Sequence, residues 1–484
     1  MSDIAYLPAF ELARRVRVKD VGCLELLDHC LDRVDRYNPG LNAVIELDPE
    51  RARERARRAD DALARDEIWG PFHGVPMTIK EAFGVAGLHM TWGDPSLASH
   101  VPEENAVVVD RLLDAGAILF GTTNVPLWLM DWQTFNVMYG TTNNPWDLSR
   151  APGGSSGGSA AALAAGLSAL DAGSDIGSSI RNPAHYCGVY GHKPTFGILP
   201  TTGHDFPGYP KPLDILVVGP MARSAEDLAI ALDVMAGADG LDAKAWKLEL
   251  PEPRHAKLSD YRVAVLLESS VCAVDGDVTD RIQAVADACA KAGALVSDSA
   301  RAEIDMVEAH ANYVQLLRGA SAGILPQSFI DDAAEQAVAL SADDESFRAR
   351  ALRAAVQSHR DWSIADQQRT RDRAAWEAFF RDWDVLLCPV AATAAMPHQQ
   401  DVERFFRTVT VNGRQENYND QLFWAGISCN VYLPGTSAPA GLTPDGLPVG
   451  VQIVGPHLED RTTIEFARLL ADEIGGFVPP PGYD

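Results

Sequence analysis

Residues 152–167 read PGGSSGGSAAALAAGL, and a second stretch of small residues at 174–181 reads SDIGSSIR. Glycine and serine at 152–159 predict a tightly turned loop, and the alanines between Ser159 and Leu167 predict a helix that packs closely on its neighbours. Outward from this point apolar patterns alternate. A helix from Val107 to Ala115 precedes a buried strand at 117–121, and a buried strand from Val263 to Leu267 precedes a helix at about 277–292. Such alternation indicates α/β layers. Residues 20–36 place Leu24, Leu27, Leu31 and Val34 at helical spacing with Asp20 as N-cap, and residues 50–65 read as a helix with a solvated charged face.

The two small-residue stretches supply candidate catalytic serines, Ser155 and Ser179, and GVPMTIKEA at 74–82 supplies Lys80 upstream. A serine hydroxyl attacks only when a neighbouring base takes its proton. Lysine serves as that base only when neutral, and burial favours the neutral form. Lys80 follows the run Val75 to Ile79, which only Pro76 and Thr78 interrupt. A lysine at a strand end is ordinarily solvated, but the company of two serine-rich stretches points to chemistry that needs no histidine.

GVPMTIKEAF (74–83), NNPWDLSRAPGGSSGGSAAALAAG (143–166) and GSDIGSSIRNPAHYCGVYGHKPT (173–195) resemble successive motifs of the amidase signature family. The resemblance continues through DILVVGPMARSAEDLAIALDVMAG (214–237) and LPVGVQIVGPHLEDRTTIEFARLL (447–470) and is weakest at 240–385. It implies one large α/β domain, with a large mixed β-sheet covered by helices on both faces and a helical insertion. Within it, 1–66 would be a helical N-terminal region, 67–240 the catalytic core motifs, 240–385 variable and mainly helical, and 386–484 the C-terminal part of the core. Position by position, the resemblance makes Lys80 the base, Ser155 the proton shuttle behind a cis peptide bond, and Ser179 the nucleophile. The main-chain N–H groups of Ile176, Gly177, Ser178 and Ser179 become the oxyanion donors. The implied activity is hydrolysis of the C–N bond of a linear amide through an acyl-enzyme.

Three positions depart from the family pattern. Gly177-Ser178-Ser179 stands where Gly-Gly-Ser is usual, and a β-carbon at Ser178 restricts the backbone, so a loop conformation that tolerates serine is expected. Glu81 stands where Asp is common, and His192 where Leu is common. Another reading also fits part of the stretch, since Gly153 to Gly157 satisfies the G-x-S-x-G of α/β-hydrolases, with Ser155 attacking. The lead-in from Asn144 to Pro152 is turn-rich, whereas an elbow needs a buried strand. Neither phosphate-binding glycine motif is present, which argues against nucleotide binding.

Composition bounds the partners. The formal net charge of −26 opposes binding to nucleic acid or to anionic membrane surfaces. Seven cysteines form no C-x-x-C, the first twenty residues hold no apolar leader, and twelve histidines form no ligand motif. A cytoplasmic enzyme without metal or cofactor is expected, its partner a small amide substrate, with a homodimer left open.

For the substrate pocket the family resemblance points to the segment holding Trp128, Leu129, Met130 and Trp132, with Tyr418 and Trp424 approaching from the C-terminal part. Its apolar character predicts a small uncharged amide, aliphatic or aryl, with anilides, carbamates and esters as relatives. Residues 302–385, with Tyr313, Leu316, Leu317, Ile324 and Leu325, read either as a cap over the entrance or as ordinary helix packing. Two alternatives stand beside a free-standing amidase: the amidase subunit of a glutamine-dependent tRNA amidotransferase, and a catalytically silent binding member of the family.

Overall fold

The computed structural model describes residues 2–209 and 212–484, and among these eight strands form one mixed sheet. Its order is Leu295–Ser297, Arg262–Val265, Val385–Pro389, Pro448–Val454, Gly435–Leu442, Tyr190–Lys193, Val217–Ala222 and Asp171–Asp175. The first three run parallel, and every later pairing is antiparallel. The expected fold class holds: a large mixed sheet with helices on both faces. Helices Ala225–Met235, Gly276–Lys291 and Asp460–Ile474 pack together against it, and Arg181–Cys187 packs on strands Gly435–Leu442 and Pro448–Val454.

A smaller sheet positions the lysine. Strand Ile118–Thr123 pairs antiparallel with Val44–Leu47 and parallel with Pro76–Lys80. A parallel bridge between Met77 and Leu170 then lays the lysine strand beside the edge of the large sheet. Counting forward from that bridge brings Lys80 level with Gly173, next to Ser174.

The glycines at 153–158 are there because backbone passes close on several sides. Gly153 has φ +87°, and a β-carbon on it would lie 2.5 Å from Pro183 Cα; one on Gly158 would lie 2.4 Å from Asn124 N. Such contacts exclude any side chain. The alanine-rich helix spans Gly157–Ala164, starting two residues before the expected Ser159, and every one of its residues is buried.

The helix after Asp20 runs over Cys23–Leu41, and Asp20 does not cap it. The N–H groups of Cys23 and Leu24 donate instead to Asp60, at 2.7 and 3.1 Å, so the cap comes from the next helix, Pro49–Ala64. The pairs Val107–Asp114 with Ile118–Thr123, and Arg262–Val265 with Gly276–Lys291, lie where the apolar patterns put them. Within 302–385 the helices are Met306–Ala322, Gln327–Ala339, Phe347–Ala355 and His359–Asp382. Among the described residues no helix is long and apolar enough to cross a membrane.

Candidate active site

Lys80 closes its strand fully buried, with Nζ 2.7 Å from Ser155 Oγ, 2.9 Å from Ser174 Oγ and 3.0 Å from Ser156 Oγ. Burial pushes its ammonium down to about 7, against opposing charges on Asp175 and Asp171. A neutral amine has two N–H bonds and one lone pair. Three hydroxyls around it therefore match its capacity: it can donate to two and accept a proton from the third. Ser156 and Ser174 also lie within hydrogen-bond distance of the amine, slightly farther than Ser155. Ser174 carries no signal in the sequence, because only the bridge between Met77 and Leu170 shows that it faces Lys80.

The peptide bond between Gly154 and Ser155 is cis. Ser179 lies beside this loop, its carbonyl accepting from Ser156 N at 3.1 Å. Among the described residues no hydrogen bond joins the Ser155 and Ser179 hydroxyls; such links tighten when substrate is bound. No strand leads into Ser155, so the α/β-hydrolase elbow is absent.

Residues 176–179 form a loop whose peptide planes are fixed from outside. Tyr313 Oη donates to Ile176 O at 2.8 Å, Trp132 Nε1 to Gly177 O at 2.8 Å, and Asn182 N to Ser178 O at 2.6 Å. A trans peptide carries its C=O and N–H on opposite sides, so these anchors turn the N–H groups of Gly177, Ser178 and Ser179 away from them. The Ser178 N–H is taken up by Asp175 Oδ1 at 2.8 Å, which removes it from the four expected oxyanion donors. Those of Ile176, Gly177 and Ser179 have no partner among the described residues.

Asp175 is the strut of the loop. Its carboxylate also accepts from Ile180 N at 3.1 Å and from Arg181 Nε and Nη2 at 3.0 and 2.9 Å, all buried. Although burial opposes ionisation, the Arg181 guanidinium and these hydrogen bonds hold the carboxyl down at about 2. Ser178 itself has φ +73°, the left-handed conformation in which glycine is at ease, and its buried Oγ has no partner. Serine thus keeps the backbone shape that glycine would adopt, at a local cost.

A cavity of about 50 Å³ opens beside Ser179, lined by Leu129, Met130, Asp131, Trp132, Ile176 and Gly177, by Leu317, Arg318 and Ser321 of helix Met306–Ala322, and by Arg404 and Leu422. Leu129, Met130 and Trp132 thus reach it as expected, but Trp128 does not. With φ +52° and its Nε1 donating to Asp94 Oδ2 at 2.7 Å, Trp128 turns into a neighbouring groove of about 280 Å³. Tyr418 lies behind the wall, its hydroxyl donating to Asp131 Oδ1 at 2.7 Å, and Trp424 is core. Glu81 and His192 serve structure: Glu81 accepts from the N–H groups of Thr91 and Trp92, and His192 contacts Asp460 at 3.1 Å. Helix Met306–Ala322 delivers both the Tyr313 anchor and three lining residues. Arg318 and Arg404 carry no signal in the sequence, since neither lies in a stretch that marks the site: Arg318 stands alone on a helix and Arg404 beside Arg407.

The Amidase family model matches residues 25–464. A component of the glutamyl-tRNA(Gln) amidotransferase of Prochlorococcus marinus (strain MIT 9303) is 33% identical over 482 residues, covering 94% of this chain and 95% of that protein. An acylamidase of Rhodococcus erythropolis is 32% identical over 478 residues, covering 96% and 95%. In fold, the chain resembles a bacterial aryl acylamidase of the amidase signature enzymes, with a TM-score of 0.80 at 24% identity over 97% and 96% of the two chains. With a family match across nearly its whole length, this chain belongs to the amidase signature family of hydrolases.

Proposed function

We propose that the protein is an amidase that cleaves the C–N bond of a small linear amide. The observation that carries this reading is the buried Lys80 amine enclosed by three serine hydroxyls, where burial lowers its hold on the proton. Lys80 accepts the proton of Ser155, Ser155 accepts that of Ser179, and Ser179 Oγ bonds to the amide carbonyl carbon. The oxyanion so formed meets the N–H groups of Ile176, Gly177 and Ser179. As the C–N bond breaks, the proton returns along the relay to the departing amine, leaving an acyl ester on Ser179. Water, deprotonated by the same relay, then cleaves the ester and regenerates the hydroxyl. Leu129, Met130 and Leu317 supply the apolar collar for the acyl group, but two arginines in the same wall do not fit an uncharged substrate.

A fluorophosphonate probe followed by peptide mapping tests the assignment. An adduct on Ser179 that Lys80→Ala suppresses supports the relay, and an adduct on Ser155 overturns it. Similarity to amidotransferase components sustains a second reading, in which the chain liberates ammonia for a partner. Turnover of small amides by the purified chain alone supports the free-standing enzyme. Activity that appears only with a partner protein and glutamine supports the second reading.

A further inference from the structure

The cavity beside Ser179 has two guanidinium groups in its wall that no carboxylate neutralises. Arg318 forms no hydrogen bond or ion pair with any described residue; its guanidinium lies over the Phe347 ring, and its Nε is buried without an acceptor. Arg404 is held from behind. Its Nε donates to Asn419 Oδ1 at 3.1 Å, its Nη1 donates to Met130 O, and its guanidinium lies over the Trp132 ring. Asp131 is the one acidic side chain in the lining, and it is already engaged. Its Oδ2 pairs with Arg407, while Oδ1 accepts from the Tyr418 hydroxyl at 2.7 Å and from Trp132 N at 2.8 Å.

The cavity is therefore positive, in a chain whose formal charge is −26. Burial, and then the charge of Arg404, push the Arg318 guanidinium down to about 9. Two like charges converging without a counter-ion raise the free energy of the site, and an anion between them lowers it.

Resting on the amidase reading above, we propose that the substrate is an amide carrying a carboxylate, which Arg318 and Arg404 bind in the cavity where its carbonyl meets Ser179. Leu129, Met130, Leu317 and Leu422 line the space between, and a cavity of about 50 Å³ suits a short aliphatic spacer. An α-ammonium group finds no unengaged acid among the lining residues, so a simple monoamide of a dicarboxylic acid fits better than the amide of an α-amino acid. This replaces the uncharged substrate expected from the apolar residues at 128–132.

The test compares carboxylates with isosteres in which an isopropyl group replaces the carboxylate, using the full-length chain. Succinamate is set against 4-methylpentanamide, and N-acetylglycine against N-isobutylacetamide; the pair that responds tells whether the acyl or the amine half carries the charge. In the responding pair the anion should be preferred by about ten- to hundredfold in kcat/KM. Arg318→Met and Arg404→Met should shrink that ratio by about tenfold or more, mainly through KM, and Arg318→Lys should shrink it less. Preference for the neutral member of both pairs, or a ratio unmoved by Arg318→Met, overturns the proposal.

Succinate gives an arm that needs no variant. It should inhibit the wild type competitively, more weakly as salt is raised, and a lack of inhibition counts against the carboxylate site. Probe labelling at Ser179 with turnover of neutral amides alone sinks this inference and leaves the amidase reading standing. No labelling and no turnover of any of the four compounds sinks both.

Discussion

Acidification should disarm this enzyme through one buried amine. With Lys80 at about 7, the neutral fraction is about 0.9 at pH 8, about 0.5 at pH 7, about 0.1 at pH 6 and about 0.01 at pH 5. If neutral Lys80 starts the relay, kcat/KM falls about ninetyfold between pH 8 and pH 5, with unit slope at the acid end. A solvated lysine at 10.5 would be neutral in only about 3 molecules in 10,000 at pH 7, so burial supplies roughly a thousandfold more base. Asp171 shares the titration, since burial pushes its own carboxyl up to about 7 and its charge raises Lys80. Asp171→Asn should therefore move the acid limb to lower pH. Glu81 also lies at about 7 but does not act on Lys80, so Glu81→Gln should leave the limb in place. The assay is a pH profile of kcat/KM on any amide the protein turns over, with circular dichroism confirming that it stays folded. A flat profile from pH 5 to pH 8, or a limb that Asp171→Asn moves upward, would refute the reasoning. The same shift predicts a stability slope. Because the folded value lies below 10.5, the unfolded chain binds the proton more tightly, and stability rises with pH between about 7 and 10.5. Below about 7 the cost is fully present, on the order of 5 kcal/mol.

Ser179→Ala and Lys80→Ala should each abolish turnover, whereas Ser156→Ala and Ser174→Ala remove one of the amine's two supporting hydroxyls and should be much milder; equal damage from Ser156→Ala in steady-state rates means that the relay is misassigned. Ser178→Gly should stabilise the fold by about 1–3 kcal/mol in urea unfolding, since it relieves a left-handed serine and removes a buried hydroxyl that lacks a partner. Asp175→Asn should destabilise by about 3–5 kcal/mol and slow probe labelling of Ser179, because it leaves Arg181 buried without its counter-charge and loosens the loop. An unchanged midpoint for Asp175→Asn would show that the strut is not needed.

Tertiary anchoring of the loop is the part of the site least legible in sequence. Tyr313 reads as one apolar position on a helix, yet its bond to Ile176 O spans 137 residues. Trp132 reads as aromatic lining, yet its indole also fixes Gly177 O. The Asp20 cap fails for a related reason: a nearby acid is the local candidate, but Asp60 of the following helix reaches the same N–H groups. In each case the donor and acceptor are set by how elements cross, which spacing along the chain does not encode.

By itself the sequence determined the layer type and where the candidate lysine and serines lie. Small residues at 152–159 and 174–181 mark backbone that must pass close to other backbone, and Lys80 after an apolar run marks a buried amine, so both survive as local signals. Only the tertiary structure decided the depth of burial of that amine, the engagement of the Ser178 N–H by Asp175, and the arrival of Arg318 and Arg404 beside Ser179. Desolvation, hydrogen-bond partnering and charge are properties of everything within a few ångströms, and most of those neighbours come from segments far apart along the chain, such as Ser155 beside Lys80 and Arg404 beside Ser179.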